Sequence, residues 1–536
     1  MPCAFHGKWP GGGAGSDARF FVRPELENRS FHAVTEAWRG PEHAFPEAVH
    51  DITTHGFSFR AWPGAALMLD MAGAEFKHEL EWNYCIPLPW EAERGLPAFT
   101  DLFSAGCFTW EPGLTPLIHL TAAVPPDQAP ALDPATQNAD ALLLPDAMLQ
   151  ALDLFLARRD NEWSVIAGYP WFLDWGRDSL IFARGLIAAG RSGEAASILR
   201  RFAAWEHEGS IPNVLRGEDA SNRETSDAPL WLVMAMRDLA AVMPGVEHSR
   251  AGARSLSHII CSIIKAHTGT TAHGVRMDPS SGLLWSPSHY TWMDTNEPAG
   301  TPCQGYPVYI QSLWAAVLEY GNTLDDAQGW GALADKVRHS IQRLYWRSGD
   351  GYLSDTLHGH AGLRAEECVA DDHLRPNQLF AITMGATTDP ESQRSIVDAC
   401  RVLIVPGALR TLAPRPVMVP LHVEWEGRAL HDPHHPYRGR YTGPENESRK
   451  AAYHNGTAWP WLFPSWCEAL VVAHGPGAIP EARRWMGTTA ALMQDGCLGQ
   501  VPEIIDGDAP HRLRGCPAQA WSVSEWVRVW TRLTAG

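Results

Sequence analysis

The chain has 536 residues, enough for one large domain and a smaller one, and its 45% apolar and 19% charged content is that of a folded protein. The 43 Lys and Arg against 61 Asp and Glu give a net charge of −18, which argues against nucleic acid and anionic membrane surfaces as partners and suits a neutral or cationic ligand. Ten cysteines stand singly without C-x-x-C spacing, no uncharged apolar run reaches about 18 residues, and no basic segment leads into an apolar one at the N-terminus. A reducing, cytoplasmic setting without signal or membrane span is therefore expected.

Residues 1–125 read as β-rich. Short alternating segments such as Phe57-Ser-Phe59-Arg-Ala-Trp62 and Leu80-Glu-Trp82-Asn-Tyr84 are punctuated by Gly and Pro, which predicts a small β-sandwich. A Pro- and Ala-rich stretch, Ala122 to Pro134, closes it, and residues 126–139 read as a linker.

From 140 to 536 the period changes to that of a helix. Met148, Leu149, Leu152, Phe155 and Leu156 make one stripe, and Leu256, Ile259, Ile260 and Ile263 another. Helices are expected near 146–158, 178–190, 193–208, 226–242, 251–266, 306–321, 326–345, 375–385, 389–403, 456–474, 480–494 and 519–534. Every second connection is a short turn, such as Arg191-Ser-Gly193. The others are long and rich in Trp, His, Asp, Glu, Arg and Asn. Helices strung as hairpins alternate direction, so all long links emerge at one end. The chain is thus expected to be mainly α, an (α/α)6 toroid with one decorated mouth. A two-layer solenoid is the alternative, and it does not require such alternation.

The first long link holds Gly168 to Ser179 (GYPWFLDWGRDS). Asp178 and Ser179 there read as an N-cap, but a cap leaves the Trp175-Gly-Arg177-Asp178 cluster unexplained. A guanidinium beside a carboxylate suits adjacent sugar hydroxyls, donor against acceptor. Next come Asn213, either a turn residue or a ligand at the mouth, and Asp227 and Trp231 at a helix start. Arg375-Pro-Asn-Gln378 and Tyr453-His454-Asn-Gly-Thr-Ala-Trp459-Pro follow. The cluster His431-Asp-Pro-His434-His435 lacks helical H-x3-H spacing, so no metal site is expected. No P-loop, dinucleotide fingerprint or G-x-S-x-G elbow occurs, and no cofactor is expected.

Two loops gather acids beside aromatics: Tyr290 to Pro298 (YTWMDTNEP) and the segment from Gln500 to Glu525, which runs into the last helix. Such loops are costly to order unless they act. Two carboxylates delivered into one aromatic-lined cleft are what glycoside hydrolysis needs. The 24 tryptophans point the same way: Trp171, Trp175, Trp285, Trp292, Trp459, Trp461 and Trp521 fall in loops, where flat rings can stack on pyranose faces.

GYPWFLDWGRD (168–178), TWMD (291–294), RPNQ (375–378), YHNGTAWPW (453–461) and EIIDGDAPHRLRGCPAQAWS (503–522) together resemble the amylo-α-1,6-glucosidase domain of glycogen debranching enzymes, in the same order and from about residue 140 to the end. More distantly the chain is similar to glucoamylase-type, six-hairpin glycosidases. The resemblance implies an inverting exo-hydrolase that removes single α-1,6-linked glucose from glycogen or another branched α-glucan. It implies Asp294 as general acid and Glu503 as general base. Trp175, Arg177 and Asp178 would hold the terminal sugar, with Asn213 as a further candidate ligand. Trp292, Tyr453, His454, Trp459, Gln519 and Trp521 would line the funnel. For inversion the two carboxyls should stand roughly 6.5–9.5 Å apart, against about 5 Å for retention. The acid must keep its proton near neutral pH, which burial against Trp292 and Met293 would favour.

The resemblance departs after Asp294, where Tyr306 replaces the family's Lys and Glu297 is a rival acid. The transferase half of the eukaryotic enzymes is missing, and the N-terminal part is shorter than in bacterial relatives. An exo-α-glucosidase of the same fold acting on linear maltooligosaccharides or another α-glucoside is the second reading. A non-catalytic glycan-binding protein is the third, against which the carboxylate pair argues.

Overall fold

The computed structural model describes residues 3–8, 19–29, 33–62, 65–93, 95–111, 117–123, 144–159, 162–217, 219–296 and 301–535. The expected linker and Glu297 lie outside them. The chain divides into two compact units, Met1–Asp140 and Ala141–Gly536.

In the first unit β1 (Cys3–Lys8), β2 (Phe20–Val22), β3 (Val49–His50), β4 (Gly56–Trp62), β5 (Ala65–Ala72), β6 (Glu75–Pro87), β7 (Phe99–Trp110) and β8 (Leu117–Ala123) form two antiparallel sheets. Their orders are β1-β8-β5-β4-β3 and β2-β7-β6. A short helix α1 (Pro89–Glu93) joins β6 to β7. Aromatic side chains of the two sheets meet in one core: Phe57 of β4 stacks on Phe76 of β6 at 4.9 Å, and Phe59 on Phe103 of β7 at 6.1 Å. Offset ring pairs of this kind bury large apolar area and fix the facing of the sheets.

The second unit contains α2 (Leu144–Asp153), α3 (Gly176–Ala188), α4 (Ser192–Ala204), α5 (Ala228–Val242), α6 (Leu256–His267), α7 (Val308–Leu324), α8 (Trp330–Tyr345), α9 (Leu379–Thr383), α10 (Pro390–Ala399), α11 (Lys450–Tyr453), α12 (Phe463–His474), α13 (Ile479–Gly487) and α14 (Ala520–Thr534). Burial sorts the longer ones into two kinds. α3, α5, α7 and α12 are buried nearly all round, as an apolar run such as Leu230-Trp-Leu-Val-Met-Ala-Met236 requires. α2, α4, α6, α8, α10 and α13 bury one face, as Leu256, Ile259, Ile260 and Ile263 of α6 do. Among the inner set α3 packs on α5, α5 on α7, α7 on α9, α9 on α12, α12 on α14 and α14 on α3. The α3–α14 approach depends on Gly185, where a Cβ would lie 2.5 Å from the Cβ of Ser524.

Several helices are shorter than their periodicity predicts. α2 stops at Asp153, and the chain then makes an antiparallel pair, Leu156–Arg159 with Glu162–Val165, that takes Phe155 out of the helix yet keeps it buried. The segment 456–462 is a strand residue pair and one 3₁₀ turn before α12 begins at Phe463. In both places apolar residues continue the helical spacing, but tertiary pairing of the backbone wins. Short strand pairs also stitch the long links together. Gly168–Tyr169 pairs with Ala518–Gln519, and Asp174–Trp175 with Val214–Leu215. A five-stranded arrangement runs through Ile404–Val405, Ala408–Arg410, Ala458–Trp459, Ile504–Ile505 and Leu513–Arg514.

Candidate active site

Arg177, in the first turn of α3, is 2% exposed and spends its guanidinium on three acceptors. Nε donates to Asp227 Oδ2 at 2.6 Å, Nη2 to the Thr291 carbonyl at 2.9 Å and Nη1 to Asp294 Oδ2 at 3.2 Å. Burial opposes its charge, but Asp227 and then Asp294 more than offset this, so its pKa lies above the ordinary value. Asp227 is fixed in turn by Tyr309, whose hydroxyl donates at 3.1 Å, and by Thr225 at 2.8 Å. Arg177 is thereby a rigid cation that reaches two loops.

Asp294 follows the buried Trp292 and Met293. Trp292 is pinned by an Nε1–H bond to Asn377 Oδ1 at 2.8 Å. The Asp294 side chain keeps 30% of its surface accessible, but protein crowds it, and burial raises its pKa. Arg177 opposes that rise and Asp227 adds to it.

Glu503 is 3% exposed. Its Oε1 accepts the Tyr453 hydroxyl, and its Oε2 accepts the backbone N–H of Cys516 at 2.8 Å. Gly515 makes this turn possible: its φ is +63°, and a Cβ there would lie 2.4 Å from Glu503 Oε2. The Tyr453 phenol, buried and facing Glu503, keeps its proton well above the ordinary range. Asp178 completes the group. It accepts from Gln519 Nε2 at 3.0 Å, and burial, with the Asp294 and Glu503 charges adding, pushes its pKa up to about 8 against the pull of Arg177.

Ten of the twelve residues singled out in the sequence line one small cavity of about 50 Å³: Trp175, Arg177, Asp178, Trp292, Asp294, Tyr453, Trp459, Glu503, Gln519 and Trp521. Phe172 joins them, from within the GYPWFLD motif. Asn213 and His454 do not line it. The Asn213 backbone holds the turn before α3, its carbonyl accepting the Gly176 N–H at 2.8 Å, while its side-chain oxygen is buried without a hydrogen-bond partner. His454 sits behind the wall, stacked on Trp459 at 5.2 Å and edge-on to Trp292, and burial holds its pKa well below the ordinary imidazole range.

α3 starts at Gly176 with Trp175 at the cap, so Asp178 lies inside the first turn and does not cap it. Of the seven loop tryptophans, Trp175, Trp292, Trp459 and Trp521 line the cavity, while Trp461 is core behind them, stacked on Trp521 at 4.6 Å and edge-on to Trp292 at 5.3 Å. Trp285 bonds the Gly359 carbonyl away from the cavity. Tyr306 is buried and donates to the Leu363 carbonyl, so the residue that departs from the family does not face the cavity. The ring nitrogens of His431 and His434 bond backbone carbonyls, and that of His435 bonds Asp432.

Sequence reasoning missed the residues that position others. Asp227 was legible as a helix start, yet its side chain makes no cap bond and holds Arg177 instead. The Cys516 N–H is a backbone donor and leaves no trace in residue type. Chemically, the cavity offers three carboxyls of unlike environment, one fixed cation and apolar ring faces.

The sequence model of the family described as amylo-alpha-1,6-glucosidase matches residues 149–528, and that described as glycogen debranching enzyme N terminal matches residues 9–113. Among solved structures, a bacterial glucoamylase complexed with acarbose is 13% identical, with 89% of this chain and 72% of that one covered at a TM-score of 0.50. A GH63 mannosylglycerate hydrolase from Thermus thermophilus in complex with Tris is 12% identical, with 73% and 100% covered at a TM-score of 0.50. At such identities these two speak for a shared fold alone.

Proposed function

The chain belongs to the amylo-alpha-1,6-glucosidase family, and from that footing we propose that it is an inverting glycoside hydrolase that removes single α-1,6-linked glucose from a branched α-glucan such as glycogen. The observation that carries the reading is the pair of loop carboxyls, Asp294 and Glu503, on one cavity walled by tryptophan and tyrosine. In this reading the six inner helices are the inner ring of an (α/α)6 toroid that follows a β-sandwich-like domain, and the cavity lies at the toroid's decorated mouth.

Asp294, with its pKa raised by burial, is the general acid and delivers its proton to the glycosidic oxygen. Glu503, held by the Tyr453 hydroxyl and the Cys516 N–H, is the general base for the attacking water. The two fixed donors keep the carboxylate aimed while water loses its proton, so no reorganisation is needed at that moment. Asp178 and Gln519 hold hydroxyls of the terminal glucose, and the rings of Trp175, Trp459 and Trp521 meet its apolar faces. Arg177 links the sugar-holding side to the acid through its bond to Asp294.

The test is proton NMR of the purified protein with a glucosyl-α-1,6-branched maltooligosaccharide, followed through the first minutes. Early β-glucose supports the proposal. Early α-glucose keeps the hydrolase and overturns the inverting mechanism. Glucose released from a linear maltooligosaccharide but not from the branched one would replace the proposal with an exo-α-glucosidase.

A further inference from the structure

Away from the cavity, the loop after the strand Thr356–His358 brings together His358, Asp371 and His373. One ligand atom from each lies within 4.8 Å of the others. The Asp371 and His373 side chains are 1% and 4% exposed, while that of His358 is 35% exposed. His358 Nε2 is 2.9 Å, and His373 Nδ1 3.5 Å, from Asp371 Oδ2.

The surrounding bonds leave these three atoms pointing at one another. Asp371 Oδ1 accepts the Asp355 N–H at 2.8 Å, and Oδ2 also accepts the Thr356 N–H at 3.2 Å, so the backbone orients the carboxylate. His373 Nε2 is 2.9 Å from the Val419 carbonyl. A carbonyl only accepts, so Nε2 carries a hydrogen, and the other ring nitrogen, Nδ1, is the one turned toward the carboxylate. Among the described residues, the buried acids Asp355 and Asp371 have Arg375 as a buried guanidinium beside them, at 3.7 Å from Asp355, and the two imidazoles beside Asp371.

We propose that His358, Asp371 and His373 form a divalent-cation site, with zinc as the ion and water in the fourth position. Two imidazoles and one carboxylate are a zinc donor set, and an imidazole anchored by a carbonyl through its other nitrogen is the usual outer-shell arrangement. Tetrahedral bonds of about 2.0–2.2 Å place ligand atoms about 3.3–3.5 Å apart; the 3.5 Å from Asp371 Oδ2 to His373 Nδ1 matches this, and the half-exposed His358 ring, at 2.9 Å, would swing outward by about 0.4 Å to admit the ion. The exposed side of His358 gives the ion its entry path. The site would also brace the cleft. Thr356–His358 pairs with Gly305–Pro307, the strand that ends the Asp294 loop. A chain of bonds also leads there: Trp292 Nε1 donates to Asn377 Oδ1, Asn377 Nδ2 to Asp355 Oδ1, and the Asp355 N–H to Asp371 Oδ1.

The experiment uses the full-length, untagged chain. Metal content is measured as purified, and chelator-treated protein is then titrated with zinc chloride by calorimetry. One saturable equivalent is expected, with affinity reduced at least about 100-fold in His358→Ala, which alters the most exposed member of the set. Cobalt(II) added to unaltered chelated protein should give the intense visible bands of a four-coordinate ion, a readout independent of any variant's folding. No saturable equivalent, a six-coordinate cobalt spectrum, or loss of binding in His434→Ala/His435→Ala in place of His358→Ala would overturn the proposal. In the first of these outcomes the cation between His373 and Asp371 is a proton.

Discussion

Replacing Asp178 by Asn isolates the electrostatic cost of the cavity. The carboxyl is 5% exposed, and its pKa is pushed from 3.8 to about 8, first by burial and then by Asp294 and Glu503. The folded state therefore binds this proton more tightly than the unfolded one, so the contribution of this group to stability is fully present below about pH 4, is lost as pH rises to about 8 and is flat above. At about 1.36 kcal/mol per pH unit the full span is worth about 5–6 kcal/mol. Structural relaxation and the favourable position of an anion in the first turn of α3, worth about 0.3–1 kcal/mol, reduce the observable part to a few kcal/mol. Asn is neutral, nearly isosteric and still able to accept from Gln519 Nε2. Asp178→Asn should thus be more stable than the parent at pH 8, with the gap shrinking to about 1–2 kcal/mol at pH 5, while turnover is lost with the sugar contact. Calorimetric Tm values for both proteins from pH 5 to 8.5 check this; in a unit this large each kcal/mol moves Tm by about 2 °C or less. A gap that is absent at pH 8, or that fails to shrink toward pH 5, would refute the argument.

Asp294→Asn and Glu503→Gln should each lower kcat by about 10²–10⁴-fold without changing far-UV circular dichroism. Because burial raises the Asp294 pKa, kcat/KM of the parent should fall on the alkaline side as that proton is lost, and a pH–rate series reads this limb. Gly515→Ala should cut kcat and lower Tm together, since its Cβ would meet Glu503 Oε2 at 2.4 Å in a backbone conformation that L residues avoid; unchanged kinetics would mean that Glu503 does not depend on this turn. Trp292→Phe leaves Asn377 Oδ1 without its 2.8 Å donor and should cost about 1–3 kcal/mol in chemical denaturation.

What the sequence made legible, and what it hid, follows from how each residue is held. Trp175, Arg177, Asp178, Gln519 and Trp521 lie in contiguous motifs beside helix starts, so one stretch of chain announces them, and each lines the cavity. The twelve helical stripes were readable because burial on α4, α6 or α8 follows a 3.6-residue period; their ends were not, because strand pairs such as Ala458 with Ile505 depend on partners about fifty residues away. His454 misled for the same reason. It stands between Tyr453 and the Trp459 motif as a polar donor would, yet its ring is spent on packing against Trp459 and Trp292. Least visible were the donors that aim the carboxyls. Glu503 is fixed by a backbone N–H at Cys516, and Asp294 by an arginine whose own orientation is set by Asp227, Thr291 and, one bond further out, Tyr309. A carboxyl's identity is written in one position, but its protonation state belongs to everything that crowds it. The same residue type therefore reaches about 8 at Asp178, while Asp238, half-buried, is held below its ordinary value by Arg184 and Arg237 against the cost of partial burial.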